Sequence, residues 1–325
     1  LDPGETVECT FINEDRRGQV IIRKGTAPAG GAGFGFTGDL GNFTLDDGGS
    51  ETIIDLLPGT YTVTENDPSG LGYELSGLSC ADSDPNGAQS AGDVATRTAT
   101  IQMDEAETVI CIFTNTEDDT VTVEKVTIPP SADHFSFGGD FGAFDLVAGN
   151  VKDFTNVTPG SYTIREDDPT AAGYALTAIT CLDSATGQTF PGDLNSRSVA
   201  LDLVAGERVH CTFTNTKLGT VVIQKGTAPA GGSGFGFSGS LGDFTLDDGG
   251  DYRVENLMPG AYSVTENDPL GLGFELSGLT CQDSVASGQP STGDVSTRTA
   301  SINLDPGETV TCTFTNTEDD TVTVE

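Results

Sequence analysis

The sequence predicts an all-β fold: a tandem array of β-sandwich domains of immunoglobulin-like size. Three observations carry this prediction. Apolar and β-branched residues alternate with polar ones in short runs such as ETVICIFTN, TATIQM and YTVTE, the period-2 pattern of half-buried strands. Turn-forming clusters (LPG, DDGG, NDPSG, SDPNG) separate these runs. A block of about one hundred residues also recurs, with Glu65, Glu166 and Glu266 spaced by 101 and 100. Roughly seven or eight short strands fit each block, and no amphipathic helix is evident, which suits a two-sheet sandwich.

The repeats are explicit. GTYTVTENDPSGLGYELSGLSC from Gly59 is answered by GSYTIREDDPTAAGYALTAITC from Gly160 and GAYSVTENDPLGLGFELSGLTC from Gly260. CTFTNT or a near variant recurs at Cys111, Cys211 and Cys312. The expected domains are residues 18–118, 119–217 and 218–318. Repeats 1 and 3 share KGTAPAGG and FTLDDGG, where repeat 2 reads KVTIPPSAD and FDLVAGN. Residues 1–17 resemble the segment from Leu304 and are expected to be the last strand of a preceding repeat. Residues 319–325 resemble the segment from Thr120 and are expected to be the first strand of a following one. Two accounts fit: a window on a longer array, or a filament whose neighbouring copies lend strands. The partners expected are thus flanking repeats or copies of the same chain. Short linkers, TEDD and TKLG, point to a semi-rigid rod.

Charge narrows the partners. The 325 residues carry 14 basic and 50 acidic side chains, a net charge of −36. Such a chain repels nucleic acid phosphates and anionic headgroups. No run of about 18 apolar residues offers a membrane span. Six of the seven cysteines form one pair per repeat: Cys80 with Cys111, Cys181 with Cys211, and Cys281 with Cys312; Cys9 is left over. The pattern reads as a disulfide framework in an oxidising, extracellular setting, secreted or on a cell surface. Each bridge would contribute about 3–4 kcal/mol. A metal site would need further ligands, and a reduced buried pair is the remaining alternative.

Strand parity singles out three residue types. Val20, Ile22 and Lys24 share a face, as do Tyr61, Val63 and Glu65, and Val109, Cys111, Phe113 and Asn115. The same parity gives Lys125, Glu166 and Asn215 in repeat 2 and Lys225, Glu266 and Asn316 in repeat 3. Only five lysines exist in the chain, and three are aimed at a core. Burial lowers a lysine pKa and raises that of a glutamate. A neutral amine is a nucleophile. It can attack the Asn carboxamide, release ammonia and join the first strand to the last. Such a domain is its own reagent and performs no turnover.

On these residues the chain resembles the prealbumin-like, Cna B-type repeat of Gram-positive adhesin stalks and pilus subunits. The features that carry the resemblance are VIIRK, YTVTENDPSGLGY and FTN in repeat 1, with VTVEK, YTIREDDPTAAGY and FTN, then VVIQK, YSVTENDPLGLGF and FTN, in the others. It reaches Asn13 in the leading fragment. The resemblance implies intramolecular isopeptide bonds Lys24–Asn115, Lys125–Asn215 and Lys225–Asn316, promoted by Glu65, Glu166 and Glu266. The cysteine pair departs from that family's pattern, so a disulfide could carry the stabilising role and leave the triad as a buried ion pair.

Other signals are weaker. Asp82, Asp84, Asn86 and Asp93 lie at spacings that resemble a calcium loop without its closing glutamate; a solvated turn is the competing reading, and otherwise no cofactor is expected. LDDGG at Leu45 and Leu246 reads as a hairpin turn. GGAGFGFTG reads as bulged strand rather than a phosphate loop, since no helix follows it. His134 and His210 are isolated. Asn42 and Asn156 begin N-x-T sequons. The expected function is a structural component of an extracellular stalk or filament. The alternatives are an adhesin whose repeats bind a ligand directly and a strand-exchanging filament subunit. No recurring triad, metal cluster or nucleotide motif points to an enzyme.

Overall fold

The computed structural model describes residues 2–12, 16–285 and 288–319. Asn13 and, of the expected strand 319–325, residues 320–325 lie outside them. Among the described residues each repeat holds nine strands, one or two more than the sequence pattern predicts. The shortest strands, three residues long in repeats 1 and 3, are pieces that alternation cannot register. In repeat 1 they run β1 (Gly18–Ala27), β2 (Phe34–Gly38), β3 (Phe43–Leu45), β4 (Ser50–Leu56), β5 (Gly59–Glu65), β6 (Tyr73–Asp82), β7 (Ala91–Asp93), β8 (Thr98–Met103) and β9 (Thr108–Glu117). One sheet has the order β4-β1-β9-β6 and the other β3-β2-β5-β8-β7. No helix of the described residues is long and apolar enough to cross a membrane.

The pairing at the centre of the first sheet decides the topology. β1 and β9 are parallel neighbours, in register from Gln19 opposite Thr108 to Ala27 opposite Thr116. Repeat 2 pairs its first strand (Asp119–Ile128) with its last (Arg208–Lys217) in the same way, and repeat 3 pairs Gly219–Ala228 with Thr309–Glu318. Each repeat thus begins and ends on adjacent strands whose free ends point in opposite directions. Three separate cores result. In repeat 1, Val20, Ile22, Val109 and Phe113 of the first sheet face Phe34, Phe36, Val63 and Ile101 of the second, all essentially without exposure. Repeat 2 joins its two sheets through the strand Thr189–Asp193, which pairs with strands on both sides.

The LDDGG segment is not a hairpin turn. It connects β3, in one sheet, to β4, in the other. Its backbone brackets Lys24: Lys24 N–H donates to Gly49 O at 3.0 Å, and Gly48 N–H donates to Lys24 O at 2.9 Å. Residues 2–12, expected as a last strand, join no ladder among the described residues.

Consecutive repeats are joined by a single residue between strands, Asp118 or Leu218. Asp118 N–H donates to Gly72 O and Leu218 N–H to Gly173 O, both at 2.9 Å. Those glycines occupy the left-handed region (φ 79° and 77°) that closes a short 3-10 turn. From the next repeat, Arg208 pairs with Glu117 at 3.0 Å, and Gly307 N–H donates to Lys217 O at 3.1 Å. The linker peptide is therefore held from both sides.

At the first of these joints Asp119 is fully buried, where repeats 1 and 3 have Gly18 and Gly219. Its Oδ1 accepts Glu207 N–H at 2.9 Å, while Oδ2 has no partner. Burial pushes its carboxyl up to about 6, and the nearby Glu207 and Asp118 add to this. An unfolded aspartate titrates near 3.9, so between the two values the folded chain holds the extra proton. Stability from this group is therefore present below about pH 4 and is lost as pH rises through about 6, with a span of about 3 kcal/mol. Asp119→Asn should match the wild type near pH 4 and exceed it at pH 8 in calorimetric melts of the full chain. Parallel pH dependences for the two proteins would contradict this account.

Candidate functional site

Three elements meet at one end of each sandwich. In repeat 1, β1 brings Lys24, its parallel neighbour β9 brings Asn115, and β5 brings Glu65 across from the opposite sheet. The alternation of the strands sends all three inward, and the corresponding residues of repeats 2 and 3 do the same. All nine side chains are at most 3% exposed. The structure thus assembles each triad that strand parity selected.

The contacts within each triad centre on the glutamate. Lys24 Nζ lies 3.6 Å from Glu65 Oε1, Lys125 Nζ 3.3 Å from Glu166 Oε1, and Lys225 Nζ 3.6 Å from Glu266 Oε1. The carboxamide approaches the same oxygen: Asn215 Nδ2 donates to Glu166 Oε1 at 2.6 Å and Asn316 Nδ2 to Glu266 Oε1 at 3.0 Å. In repeat 1 neither amide atom of Asn115 has a hydrogen-bond partner. The amines also donate to main-chain carbonyls, Lys24 to Gly25 O at 2.9 Å and Lys125 to Phe213 O at 3.0 Å.

Desolvation dominates the electrostatics. Burial raises the Glu65, Glu166 and Glu266 carboxyls, against the pull of the lysine and asparagine beside each. It lowers the Lys24 and Lys225 amines, and brings Lys125 down to about 8. Both shifts favour the uncharged pair. A second observation agrees. Oε2 of each glutamate and Oδ1 of each asparagine are buried without a partner. Two acceptors cannot satisfy one another, but a proton on the carboxyl makes it a donor. Burial thus narrows the gap between the charged and uncharged forms of each Lys–Glu pair.

Aromatic residues form the seat, and sequence reasoning missed them. Lys24 Nζ lies 4.2 Å from the Phe34 ring centroid, Lys125 Nζ 4.6 Å from Phe135, and Lys225 Nζ 4.2 Å from Phe235. Each of these rings is met edge-on, by Tyr73, Tyr174 or Phe274, which gives the G-Y/F position of the long repeat its role. Their signal was the alternation in GFGF and HFSF, where two phenylalanines face one way. Arg97, Arg197 and Arg298 were missed as well. Each sits at positive φ, and each carbonyl accepts the glutamate's N–H at 2.9 Å. Their signal was the recurring TRT and SRS.

The cysteine pairs form as the spacing predicts. Cys80–Cys111, Cys181–Cys211 and Cys281–Cys312 link directly opposed residues of neighbouring strands. Cys9 is exposed and unbridged among the described residues. The calcium-like segment does not converge. Asp82 accepts both the N–H and the hydroxyl of Ser90, Asp84 accepts Asn86 N–H, and Asp93 accepts Ala95 N–H in a separate turn. Among the described residues, no three His, Cys, Asp or Glu side chains could hold a metal ion. His210 pairs with Glu124 at 2.9 Å, and His134 is exposed.

The prealbumin-like fold domain matches residues 20–117, 121–217 and 221–318. The chain belongs to that family. It is a tandem of three prealbumin-like domains, and the three cores and three triads coincide with the matched segments. No curated protein matches the sequence. Among solved structures it is similar to the Bacillus anthracis TIE protein (14% identity, 94% of this chain, 51% of that one, TM-score 0.35). It is also similar to BcpA, the major pilin subunit of Bacillus cereus (13%, 94% and 100%, TM-score 0.34). A third is the pilus adhesin SpaC from Lactobacillus rhamnosus GG in its open conformation (14%, 95% and 44%, TM-score 0.27). The chain spans about half the length of the first and less than half of the third.

Removing an aromatic seat should unsettle a triad without touching it. Phe135→Ala is expected to cost about 3–5 kcal/mol, read as a lower denaturation midpoint for repeat 2 in urea. Phe135→Leu should recover most of the loss.

Proposed function

We propose that this chain is a load-bearing segment of an extracellular stalk or filament, whose domains each join their first strand to their last through a Lys–Asn amide. The observation that carries the reading is the placement of Lys24 and Asn115 on adjacent parallel strands, both facing a buried core into which Glu65 projects from the opposite sheet. The same placement recurs twice. The step balances without a cofactor. A proton passes from the lysine ammonium to the glutamate. The neutral Nζ attacks Asn Cγ, and the Nζ–Cγ bond forms. The glutamate hands a proton to Nδ2 and regains one from the attacking nitrogen. The Cγ–Nδ2 bond breaks and ammonia leaves. Glutamate acts once per domain as proton carrier, so the chemistry is maturation rather than turnover.

The load path supports the reading. Tension in an array enters at the start of β1 and leaves at the end of β9. Since these strands are parallel neighbours, it first shears their pairing. A Lys24–Asn115 bond would route force past everything between the two residues. It would close a loop of about ninety residues, worth about 4–5 kcal/mol. The disulfide cannot replace it. Cys80–Cys111 encloses only residues 80–111, and the segment before residue 80 stays extensible. The exposed surface, with its large negative charge, suits a soluble extended scaffold.

Intact mass measured under reducing conditions decides the matter. The wild type should weigh one ammonia less than calculated for each complete domain. Glu65→Gln should regain the mass of one ammonia, allowing for the substitution itself. The full calculated mass in the wild type would leave a buried ion pair and end the covalent reading.

A further inference from the structure

Repeats 1 and 3 carry an aspartate in the loop whose backbone brackets the lysine, where repeat 2 has alanine. Asp47 Oδ1 accepts Thr26 N–H at 2.7 Å, and its Oδ2 accepts Gly30 N–H at 3.0 Å. Asp248 does the same with Thr227 and Gly231, at 2.7 and 2.9 Å. Each is thereby fixed against the peptide two residues beyond the lysine. In repeat 2, Ala148 stands at this position. Its backbone clasp is retained: Gly149 N–H donates to Lys125 O at 2.7 Å and Lys125 N–H to Asn150 O at 3.1 Å. The loop also keeps the threonine bond found in all three repeats, here Ser131 N–H to Thr127 Oγ1 at 3.0 Å, and adds Tyr174 OH to Asp133 at 2.6 Å. The carboxylate is thus not needed to build the sandwich.

The triads differ as well. The Lys–Glu separation is 3.3 Å in repeat 2 and 3.6 Å in each of the others. The Asn–Glu hydrogen bond is 2.6 Å in repeat 2, 3.0 Å in repeat 3 and unmade in repeat 1. Asp47 and Asp248 are held ionised by the N–H groups they accept. Burial lowers the Lys24 and Lys225 amines; against it, Glu65 and Glu266 favour the charged form, and Asp47 and Asp248 add to them in the same sense. Lys125 faces Glu166 alone. Attack requires the neutral amine.

Resting on the amide-forming reading above, we propose that Asp47 and Asp248 are restraining residues that slow cross-linking in repeats 1 and 3, so that repeat 2 matures first. They touch neither Asn115 nor Asn316 and act only through the charge state and placement of the lysine.

The test is a time course. The full chain is made by cell-free synthesis, quenched in acid at intervals and digested, and the joined peptides are quantified by mass spectrometry. Lys125–Asn215 should accumulate ahead of Lys24–Asn115 and Lys225–Asn316. Asp47→Asn, which keeps the acceptor for Thr26, should speed repeat 1 several-fold and leave repeat 3 unchanged. It should also move the half-maximal pH for repeat 1 downward, a change that a purely structural clasp would not produce. Ala148→Asp should slow repeat 2 and move its profile upward, which keeps the proposal falsifiable if Asp47→Asn misfolds. Joined peptides forming at equal rates in all repeats, with unmoved pH profiles, would overturn this proposal alone. Absence of any joined peptide in any repeat would overturn the amide-forming reading beneath it.

Discussion

The whole arrangement depends on keeping one amine out of water. An ammonium is among the costliest groups to bury, and here one is held in each core, on an aromatic ring, beside an acid. Each is at most 3% exposed, so solvent does little to restore its charge preference. The protein resolves the cost by shifting both groups toward neutrality. On the proposed reading, that shift is also what lets the amine act as a nucleophile. The structural expense and the chemical capability have a single origin.

On the proposed reading, topology turns this local chemistry into a mechanical property. A lysine and an asparagine joined within one hairpin would staple a few residues. Here they lie on the first and last strands, which the fold makes adjacent and parallel. A bond between them encloses nearly the whole domain. The disulfide, two positions before Phe113 on the same strand, does a different job. It shortens the unfolded chain within the last third of the domain and leaves the path of tension unaltered. The joints continue this logic, with each single-residue linker hydrogen bonded to the repeat before it and approached by a turn of the repeat after it.

Much of the candidate site was legible because strand alternation is a strict rule. Once VIIRK, YTVTE and CIFTN are read as strands, the side of Lys24, Glu65 and Asn115 follows from counting by two. The disulfide pairs followed from their recurrence. Less legible was anything that required knowing which sheet a strand enters. LDDGG has the composition of a hairpin turn, yet it crosses between sheets, because β3 and β4 choose different partners. The co-variation of FTLDDGG with KGTAPAGG among the repeats was visible, but its meaning was not, since only the fold lays Asp47 against the peptide of Thr26. Phe34 and Phe36 stood in a glycine-rich stretch whose composition obscured their alternation. The calcium-like spacing misled for a related reason. Asp82 and Asp93 are near in sequence, but each is occupied in a turn of its own.

By itself the sequence determined the class of fold, the number of complete repeats, the pairing of the cysteines and the inward face of nine polar residues. These follow from local rules: periodicity, turn chemistry and repetition. The tertiary structure alone decided that the first and last strands run parallel side by side, that a phenylalanine from the opposite sheet underlies each lysine, and that one joint buries an aspartate where the others have glycine. These are contacts between residues far apart in the chain. Their energies arise from desolvation and packing across the sandwich, which no local pattern encodes.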